Sequence, residues 1–383
     1  MKICAIICEY NPFHNGHLYH LTEAKRKTGA DAVVCLMSGN FVQRGDAAIL
    51  DKYTRAKHAV QAGADAVIEL PTVFATSCAE IFAKGAVKLL AALPDVTHLS
   101  FGTERDENVD YFKIAKTLCV EPTCVSEKIR LLTDRGESYV KARESAWKDI
   151  LGDNFPTSPN DILAVEYAKA ALHFQANFEL APVHRVGNDY KQNDLSSTFA
   201  SATAVRNALF CDMRDAAKAH VPPFVFTNLP ENIQNSLAEM EKTALLIKSE
   251  EEIEKTLDCS EGLEHALKKA AKDNLSDIVA ELTSKRYTAA RLKRILLHVL
   301  LGIDGDFVKE CLNADLYYNV LALKNDASEI LSALSRSGLP VLVRGGDIEK
   351  LNMVARKCFE KDLFADEIYA VAMHREKLKK QLF

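Results

Sequence analysis

The segment Asn11-Pro-Phe-His-Asn-Gly-His17 contains residues well suited to phosphate chemistry. Helical spacing begins near Gly16, so the backbone N–H groups and the positive end of the helix dipole would face a bound anion. Gly16 lets a ligand approach the backbone closely. His14 and His17 lie three residues apart, and their imidazoles could stabilise charge on a phosphoryl group under attack. The alternative interpretation of this histidine pair is a metal site or an ordinary polar surface.

Four short apolar runs in the first hundred residues predict the strands that position this segment. Helical patterns separate the runs, which is typical of a parallel sheet covered on both faces. Ligands bind beyond the carboxyl ends of such strands, and the loops after all four runs should share that rim. The predicted strands are residues 2–8, 31–38, 64–71 and 96–102, and the predicted helices between them are 16–27, 50–62 and 74–93.

The segment 38–45 follows the second predicted strand and is too polar for a core. On the rim, Gln43 and Arg44 could donate hydrogen bonds to an acyl substrate or to a leaving phosphate group. A plain surface loop is the alternative. The next helix carries three cations, most of which we expect to be solvated: Lys52, Arg55 and Lys57.

Beyond residue 105 the pattern becomes mostly helical, and prolines 222, 223 and 230 mark a boundary. We therefore expect an α/β fold, with a parallel-sheet domain over 1–222 and a mostly helical domain over 223–383. The later elements are helices within 106–174, the last of them over 157–172, a strand at 178–186, a polar loop at 187–201, a helix from about 201, and a possible short strand at 340–345.

Composition narrows the class of protein. The chain has 383 residues, 48% of them hydrophobic, and a net charge of −5, which excludes disordered and collagen-like chains and a globally basic nucleic-acid binder. No apolar run is long enough for a membrane helix, and the first run ends at Glu9, so we interpret it as a buried strand rather than a signal peptide. Ten scattered cysteines without a CxxC pair indicate a reducing cytosol, and we expect no metal cluster and a cytoplasmic protein.

Two segments resemble the signatures of the HIGH nucleotidylyltransferase superfamily. His14-Asn15-Gly16-His17 resembles its HxGH motif, and Ser201-Ala-Thr-Ala-Val-Arg206 resembles its Ser-Ser-Thr-x-x-Arg motif, with Ala202 in place of the middle serine. The resemblance implies a Rossmann-like domain that binds ATP and directs a nucleophile at the α-phosphate. Ser201 and Thr203 would cap a helix whose N–H groups face the outer phosphates, and Arg206 would add a positive fork. An ordinary capped surface helix is the alternative.

Further segments resemble the family of bacterial tRNA(Met) cytidine acetate ligases. This resemblance implies that acetate and ATP form acetyl-adenylate, and that the acetyl group passes to N4 of the wobble cytidine of elongator tRNA(Met). It implies ATP with Mg²⁺, acetate and tRNA as ligands. The sequence itself predicts no membrane association and identifies no protein partner. The similar segments are residues 8–17, 37–59, 63–71, 99–104, 158–167 and 184–190.

The same resemblance implies a set of site residues. His14 and His17 are the expected catalytic pair, and Gln43 and Arg44 are expected to contact substrate. Asn160 could instead be a simple helix cap. The expected ATP-binding residues are Ile7, Cys8, Glu9, Tyr10, Asn11, Pro12, Phe13, His14, Asn15, Gly16, His17, Leu18, Tyr19, His20, Gly102, Asn160, Arg185, Ser201, Thr203 and Arg206.

A local basic run over 284–294 is the expected tRNA surface, with a solvated amphipathic helix as the alternative. Its cations are Lys285, Arg286, Arg291, Lys293 and Arg294, and a weaker second patch covers residues 375–380. Two other functions stay open at this point. One is a nucleotidylyltransferase or carboxylate–amine ligase acting on a small molecule, and the other is an ATP-binding regulator without catalysis.

Overall fold

A computed structural model describes residues 1–106, 108–185, 200–343 and 345–376. The predicted polar loop, apart from residues 200 and 201, and the end of the C-terminal basic patch lie outside these ranges. The first half of the chain alternates strands and helices, as its pattern predicts. Its elements are β1 (Ile3–Cys8), α1 (Asn15–Thr28), β2 (Ala32–Ser38), α2 (Lys52–Gln61), β3 (Ala66–Leu70), α3 (Thr72–Ala75), α4 (Ala79–Ala91) and β4 (Val96–Thr103).

A helical segment follows β4 and returns to the sheet through a fifth strand. Helices α6 and α7 enclose a small core of their own around Trp147, whose side chain is 1% exposed. The elements are α5 (Tyr111–Cys119), α6 (Thr123–Asp134), α7 (Tyr139–Leu151), α8 (Pro159–His173), β5 (Glu179–His184) and α9 (Ala202–Phe210).

The C-terminal part is mostly helical but contributes two strands. Its elements are α10 (Pro223–Phe226), α11 (Leu237–Ile247), α12 (Glu250–Glu254), α13 (Leu263–Lys272), α14 (Ile278–Leu282), α15 (Ala289–Leu301), α16 (Gly305–Asn313), β6 (Tyr318–Leu323), α17 (Ser328–Arg336), β7 (Val341–Leu342) and α18 (Met353–Ala372). Helices α11, α13 and α15 share a separate apolar cluster around Leu267 and Leu292. No helix within the described ranges is long and apolar enough to span a bilayer.

Within the described ranges, seven strands form one sheet in the order β5-β4-β1-β2-β3-β6-β7. The first five are parallel, and β6 pairs antiparallel with β3, so the fold class is α/β as predicted. The sheet thus crosses the division expected between residues 222 and 223. The physical reason is β6, because its apolar run pairs with the edge of the sheet at β3. The strand was not predicted because the sequence around it has a mostly helical pattern.

Strand order fixes where a ligand can bind. β1 lies between β2 and β4, so the connections after β1 and β4 leave the sheet in opposite directions. Such a switch point opens a crevice beyond the carboxyl ends of the strands. The histidine segment follows β1 and therefore stands at this crevice.

Candidate active site

A cavity of about 290 Å³ occupies the crevice beyond β1 and β4. Its wall combines polar groups from the strand ends with an apolar side formed by Phe82, Phe101, Leu163 and Tyr167. The predicted residues that line it are Ile7, Cys8, Glu9, Tyr10, Asn11, His14, Gly16, His17, Tyr19, His20, Gln43, Arg44, Gly102, Asn160, Arg185 and Arg206.

Other predicted residues lie just outside the lining. Phe13 is fully buried and packs edge-on against Tyr10, with ring centroids 4.7 Å apart. Asn15 donates its side-chain N–H to the carbonyl of Ala219 at 2.9 Å, so it anchors the start of α1 to a distant turn. Pro12, Leu18, Ser201 and Thr203 are also absent from the cavity wall, whereas Ala202, which the sequence analysis left out, is part of it.

His14 and His17 form a stacked pair at the start of α1, with ring centroids 3.7 Å apart. Nδ1 of His14 accepts a hydrogen bond from the Gly16 backbone N–H at 3.1 Å, and the His14 N–H donates to Nδ1 of His17 at 3.3 Å. Burial, with Arg185 and Arg206 nearby, lowers the pKa of His14 to about 3. Burial and the neighbouring His14 also lower the pKa of His17 well below its ordinary value.

Both imidazoles are therefore neutral at neutral pH. A neutral imidazole that accepts at Nδ1 carries its proton at Nε2. Each ring can then donate Nε2–H to an oxygen that gains negative charge, without bringing a full charge into the cavity. The α1 N-terminus adds the positive end of its helix dipole at the same place. Its first four backbone N–H groups donate within the protein, that of Asn15 to His220 and those of Gly16, His17 and Leu18 to His14.

The second signature segment is tied directly to the first. Ser201 caps α9, because its Oγ accepts the Ala204 N–H at 3.1 Å. Thr203 accepts a hydrogen bond from Arg206 at 3.1 Å, and the other arm of Arg206 donates to the carbonyl of Asn11 at 2.6 Å. The Arg206 side chain is thus held in one orientation beside the histidine segment.

Glu104 connects the remaining predicted residues, and sequence reasoning missed it. Its carboxylate accepts hydrogen bonds from Asn160 and from Ser158, the latter at 2.7 Å, and lies 3.9 Å from Nε of Arg185. Ser158 caps α8, so the alternative of Asn160 as the cap is wrong. A Cβ built on Gly102 would lie 3.3 Å from Cγ of Arg185, so the arginine stem crosses this glycine closely. The position of Glu104 could have identified it as a site residue, because it directly follows β4 within a segment that resembles the family.

The loop after β2 reaches the cavity through Gln43 and Arg44, as expected. The Gln43 backbone N–H donates to Oε1 of Glu9 at 2.8 Å, and its side chain donates to the carbonyl of Ser77 at 3.1 Å. Burial raises the pKa of Glu9, although hydrogen bonding to Gln43 and the nearby arginines oppose the rise. Among the lining residues that the structure describes, Glu9 is the sole carboxylate.

The expectation that the α2 cations are mostly solvated is wrong for two of them. Lys52 is 1% exposed and Arg55 is 0% exposed. Lys52 lies 2.8 Å from Glu69 of β3 and 2.8 Å from Asp366 of α18, so its charge is paired inside the protein. A signal was present in the sequence, because Glu69 interrupts an apolar strand and a buried carboxylate requires a partner.

The basic run over 284–294 divides into two groups. Lys285 and Arg286 are exposed before α15 begins, and Arg286 pairs with Glu261. Arg291 instead donates to the carbonyl of Asp258 at 2.6 Å and holds a neighbouring turn.

The second group faces the loop after β2. Lys293 lies 2.7 Å from Asp46, and Arg294 is partly buried. Gly45 has φ +79°, and a Cβ built there would lie 2.6 Å from the Lys293 backbone carbon. Only glycine fits this approach, so α15 packs directly on the loop that carries Gln43 and Arg44.

Comparison with known proteins agrees with this geometry. The model of the HIGH nucleotidyl transferase family matches residues 1–382. The tRNA(Met) cytidine acetate ligase of Thermoanaerobacter sp. (strain X514) is 38% identical, covering 97% of this chain and 96% of its own. The enzyme of the same name from Acetivibrio thermocellus is 34% identical over 99% of this chain and 97% of its own.

Two solved structures of Thermotoga maritima TmcAL are similar to this fold. The apo form has a TM-score of 0.88 at 28% identity, covering 99% of this chain and 97% of that one. The form bound with alpha-thio ATP has a TM-score of 0.87, with the same identity and coverage. With its two signature segments at one cavity and its relatives matched over nearly their whole length, this chain belongs to the HIGH nucleotidyl transferase family and, within it, to the tRNA(Met) cytidine acetate ligases.

Proposed function

We propose that this protein is an ATP-dependent ligase that acetylates N4 of the wobble cytidine of elongator tRNA(Met), with AMP and pyrophosphate as products. The observation that carries the proposal is the convergence of His14, His17 and Arg206 at one cavity beyond β1 and β4. Membership of the family supports the reaction. The alpha-thio ATP complex of Thermotoga maritima TmcAL supports ATP as the nucleotide.

In the first step, an acetate oxygen attacks the α-phosphorus of ATP and pyrophosphate leaves. The Nε2–H groups of His14 and His17 and the positive end of the α1 helix dipole stabilise charge on the α-phosphoryl oxygens. Arg206 and Arg185 hold the departing phosphates, and Gln43 and Arg44 hold the acetate. Positioning and electrostatics supply the catalysis, since no covalent enzyme intermediate is required.

Mg²⁺ accompanies ATP in this proposal. This ion takes most of its ligands from phosphates and water, with one or two carboxylates at most. Within the described part of the chain, no group of three or more His, Cys, Asp or Glu side chains could hold a metal. The ATP phosphates and water would supply most of the ligands of this ion, which would neutralise part of the phosphate charge.

In the second step, cytidine N4 attacks the acetyl carbonyl, the C–N bond forms, and the anhydride bond to AMP breaks. N4 must lose one proton, and the Glu9 carboxylate accepts it. Oε1 of Glu9 is occupied by the Gln43 N–H, while Oε2 has no hydrogen-bond donor among the described residues. Proton transfer of this kind needs a base whose pKa is not too far below neutral, and burial raises that of Glu9.

The acceptor base must leave its stack to enter the cavity, which an anticodon-loop base does at low cost. The exposed pair Lys285 and Arg286 then contacts tRNA phosphates. Arg291 and Lys293 are engaged with Asp258 and Asp46, so they act on tRNA indirectly. We place the enzyme in the cytoplasm, where its substrate tRNA is found.

One assay tests the proposal. The protein is incubated with ATP, radiolabelled acetate and tRNA(Met) transcript, the RNA is digested, and labelled acetylcytidine is measured, with a parallel tube lacking tRNA assayed for acetyl-adenylate. We expect both products, and His17→Ala should lower both by about 100-fold or more while tRNA affinity stays within about twofold. An adenylylated small product formed without RNA would instead indicate a small-molecule enzyme. The absence of ATP–pyrophosphate exchange with any carboxylate would indicate a regulator.

A further inference from the structure

Arg55 is a buried cation whose hydrogen-bond acceptors are all main-chain carbonyls. Its Nε donates to Leu50 at 2.9 Å, and its Nη1 donates to Glu9 at 2.6 Å and to Ser38 at 3.1 Å. Its Nη2 donates to the carbonyl of Gly39. The side chain is 0% exposed and is not part of the cavity wall. Burial lowers the pKa of this guanidinium, which nevertheless stays charged because arginine starts from so high a value.

These carbonyls belong to the two loops that form the rim of the active site. Ser38 ends β2, Gly39 begins the loop between β2 and α2, and Leu50 is near the end of that loop. The guanidinium therefore closes the base of this loop, whose tip carries Gln43 and Arg44. The Glu9 carbonyl lies in the segment between β1 and the histidine pair, so the same group joins one loop to the other.

We propose that Arg55 is a positioning residue that fixes Gln43 and Arg44 relative to the histidine pair. Four carbonyls surround the side chain and are reached from Nε, Nη1 and Nη2. A planar guanidinium has donors at all three nitrogens, whereas the lysine ammonium has donors at one. Without the Arg55 guanidinium, the buried carbonyls lose their hydrogen-bond donors, and the two ends of the loop are held less firmly. A second link, from the Gln43 N–H to Oε1 of Glu9, holds the tip of the loop. It does not replace the contacts that Arg55 makes at the two ends of the loop.

The consequence is selective, because three of the four carbonyls that Arg55 holds, those of Ser38, Gly39 and Leu50, lie at the two ends of the loop after β2. α1 and α9, which carry the expected phosphate contacts, are held by contacts of their own, such as Asn15 to Ala219 and Arg206 to Asn11. Loosening the 39–50 loop should impair use of the acyl substrate more than binding of ATP. This readout depends on the function proposed above, in which acetate binds beside Gln43 and Arg44.

The test compares Arg55→Lys with the control Lys268→Met. Lys268 is also a buried cation on main-chain carbonyls, donating to Leu245 at 2.7 Å and Leu246 at 2.9 Å, but it lies in the helical cluster of α11 and α13. Three quantities are measured: equilibrium affinity for ATP, kcat/KM for acetate in ATP–pyrophosphate exchange, and amide hydrogen exchange of peptides covering 39–50 and 79–91.

We expect Arg55→Lys to lower kcat/KM for acetate about tenfold or more while ATP affinity changes less than about threefold. Exchange should accelerate in 39–50 and not in 79–91. Lys268→Met should leave all three quantities near their original values. Equal loss of ATP affinity and acetate use, or unchanged exchange in 39–50, would overturn the proposal. Hydrogen exchange does not require acetate to be the substrate, so it judges the role of Arg55 even if the proposed reaction fails.

Discussion

At the scale of single residues, Glu9 allows the two half-reactions to be separated. Glu9→Gln keeps an Oε1 acceptor for the Gln43 N–H but removes the ability to accept a proton. We expect acetyl-adenylate formation to change little and transfer to tRNA to fall about 100-fold, which is typical for loss of a general base. Single-turnover transfer from preformed acetyl-adenylate measures this step directly.

A matched control is His184→Gln, because this imidazole also lines the cavity but has no role in the proposed transfer step. Its Nδ1–H donates to the carbonyl of Arg105 at 3.0 Å. Transfer should survive this change. Equal losses of adenylate formation and transfer in Glu9→Gln would contradict the role of Glu9 as the base.

His298 makes stability depend on pH. It is buried on α15 with Nε2 2.8 Å from Oγ1 of Thr76, and burial together with Arg294 lowers its pKa to about 3. Because the folded pKa lies below the unfolded value of about 6.5, the unfolded chain binds more protons between these values. Stability from this group is therefore complete above pH 6.5 and falls by about 1.4 kcal/mol per pH unit on acidification.

The variant His298→Gln removes the contribution of this histidine to the pH dependence of the unfolding free energy. Denaturant unfolding at pH 7 and pH 5.5 should show a drop in unfolding free energy that is about 1–2 kcal/mol smaller than in the unsubstituted protein. The comparison uses the difference between two pH values, so any constant cost of the substitution cancels. An identical drop in both proteins would show that His298 takes up no proton on unfolding in this range.

At the scale of elements, the sequence predicted those with a strong local pattern. The apolar runs of β1 to β4 and the cap at Ser201 were identified because burial on both faces and capping leave marks in adjacent residues. The burial of Lys52 and Arg55 was not predicted, because their partners lie elsewhere in the chain. Lys52 binds Glu69 of β3, and Arg55 binds the Glu9 carbonyl. Side chains that join distant elements leave no local periodicity.

The segment before α15 gives the prediction for tRNA. Replacing both Lys285 and Arg286 with Ala should weaken tRNA binding about tenfold or more and reduce the salt dependence of log Kd by about 1.5–2, because two phosphate contacts are lost. Filter binding over a series of salt concentrations measures both quantities. Adenylate formation should be unchanged.

Lys113→Ala with Lys116→Ala is the matched control, since it removes the same charge from the exposed face of α5. Its effect on affinity should be small. If both double variants weaken binding equally, net charge rather than a defined surface governs the interaction, and the basic run loses its assigned role.

At the scale of the whole molecule, β6 joins the C-terminal part of the chain to the sheet of the N-terminal part. It pairs with β3, and its Asn319 donates to the buried carboxylate of Glu69. Asp366 of α18 supplies the second carboxylate for Lys52, 2.8 Å away. The main apolar core likewise contains residues of both halves, such as Leu36 and Tyr369. These long-range contacts explain why a boundary drawn from prolines and composition did not separate the sheet from the C-terminal part.

A fragment of residues 1–222 should therefore not fold by itself. It would expose the edge of β3 and leave Glu69 and Lys52 without two partners from the C-terminal part, and such exposed edges and unpaired buried charges favour aggregation and unfolding. We expect no cooperative thermal transition in circular dichroism and no ATP–pyrophosphate exchange. Adding residues 223–383 as a separate chain should restore part of both, because the missing strand and charges return. A fragment that unfolds cooperatively and retains exchange on its own would instead establish the catalytic half as an independent domain.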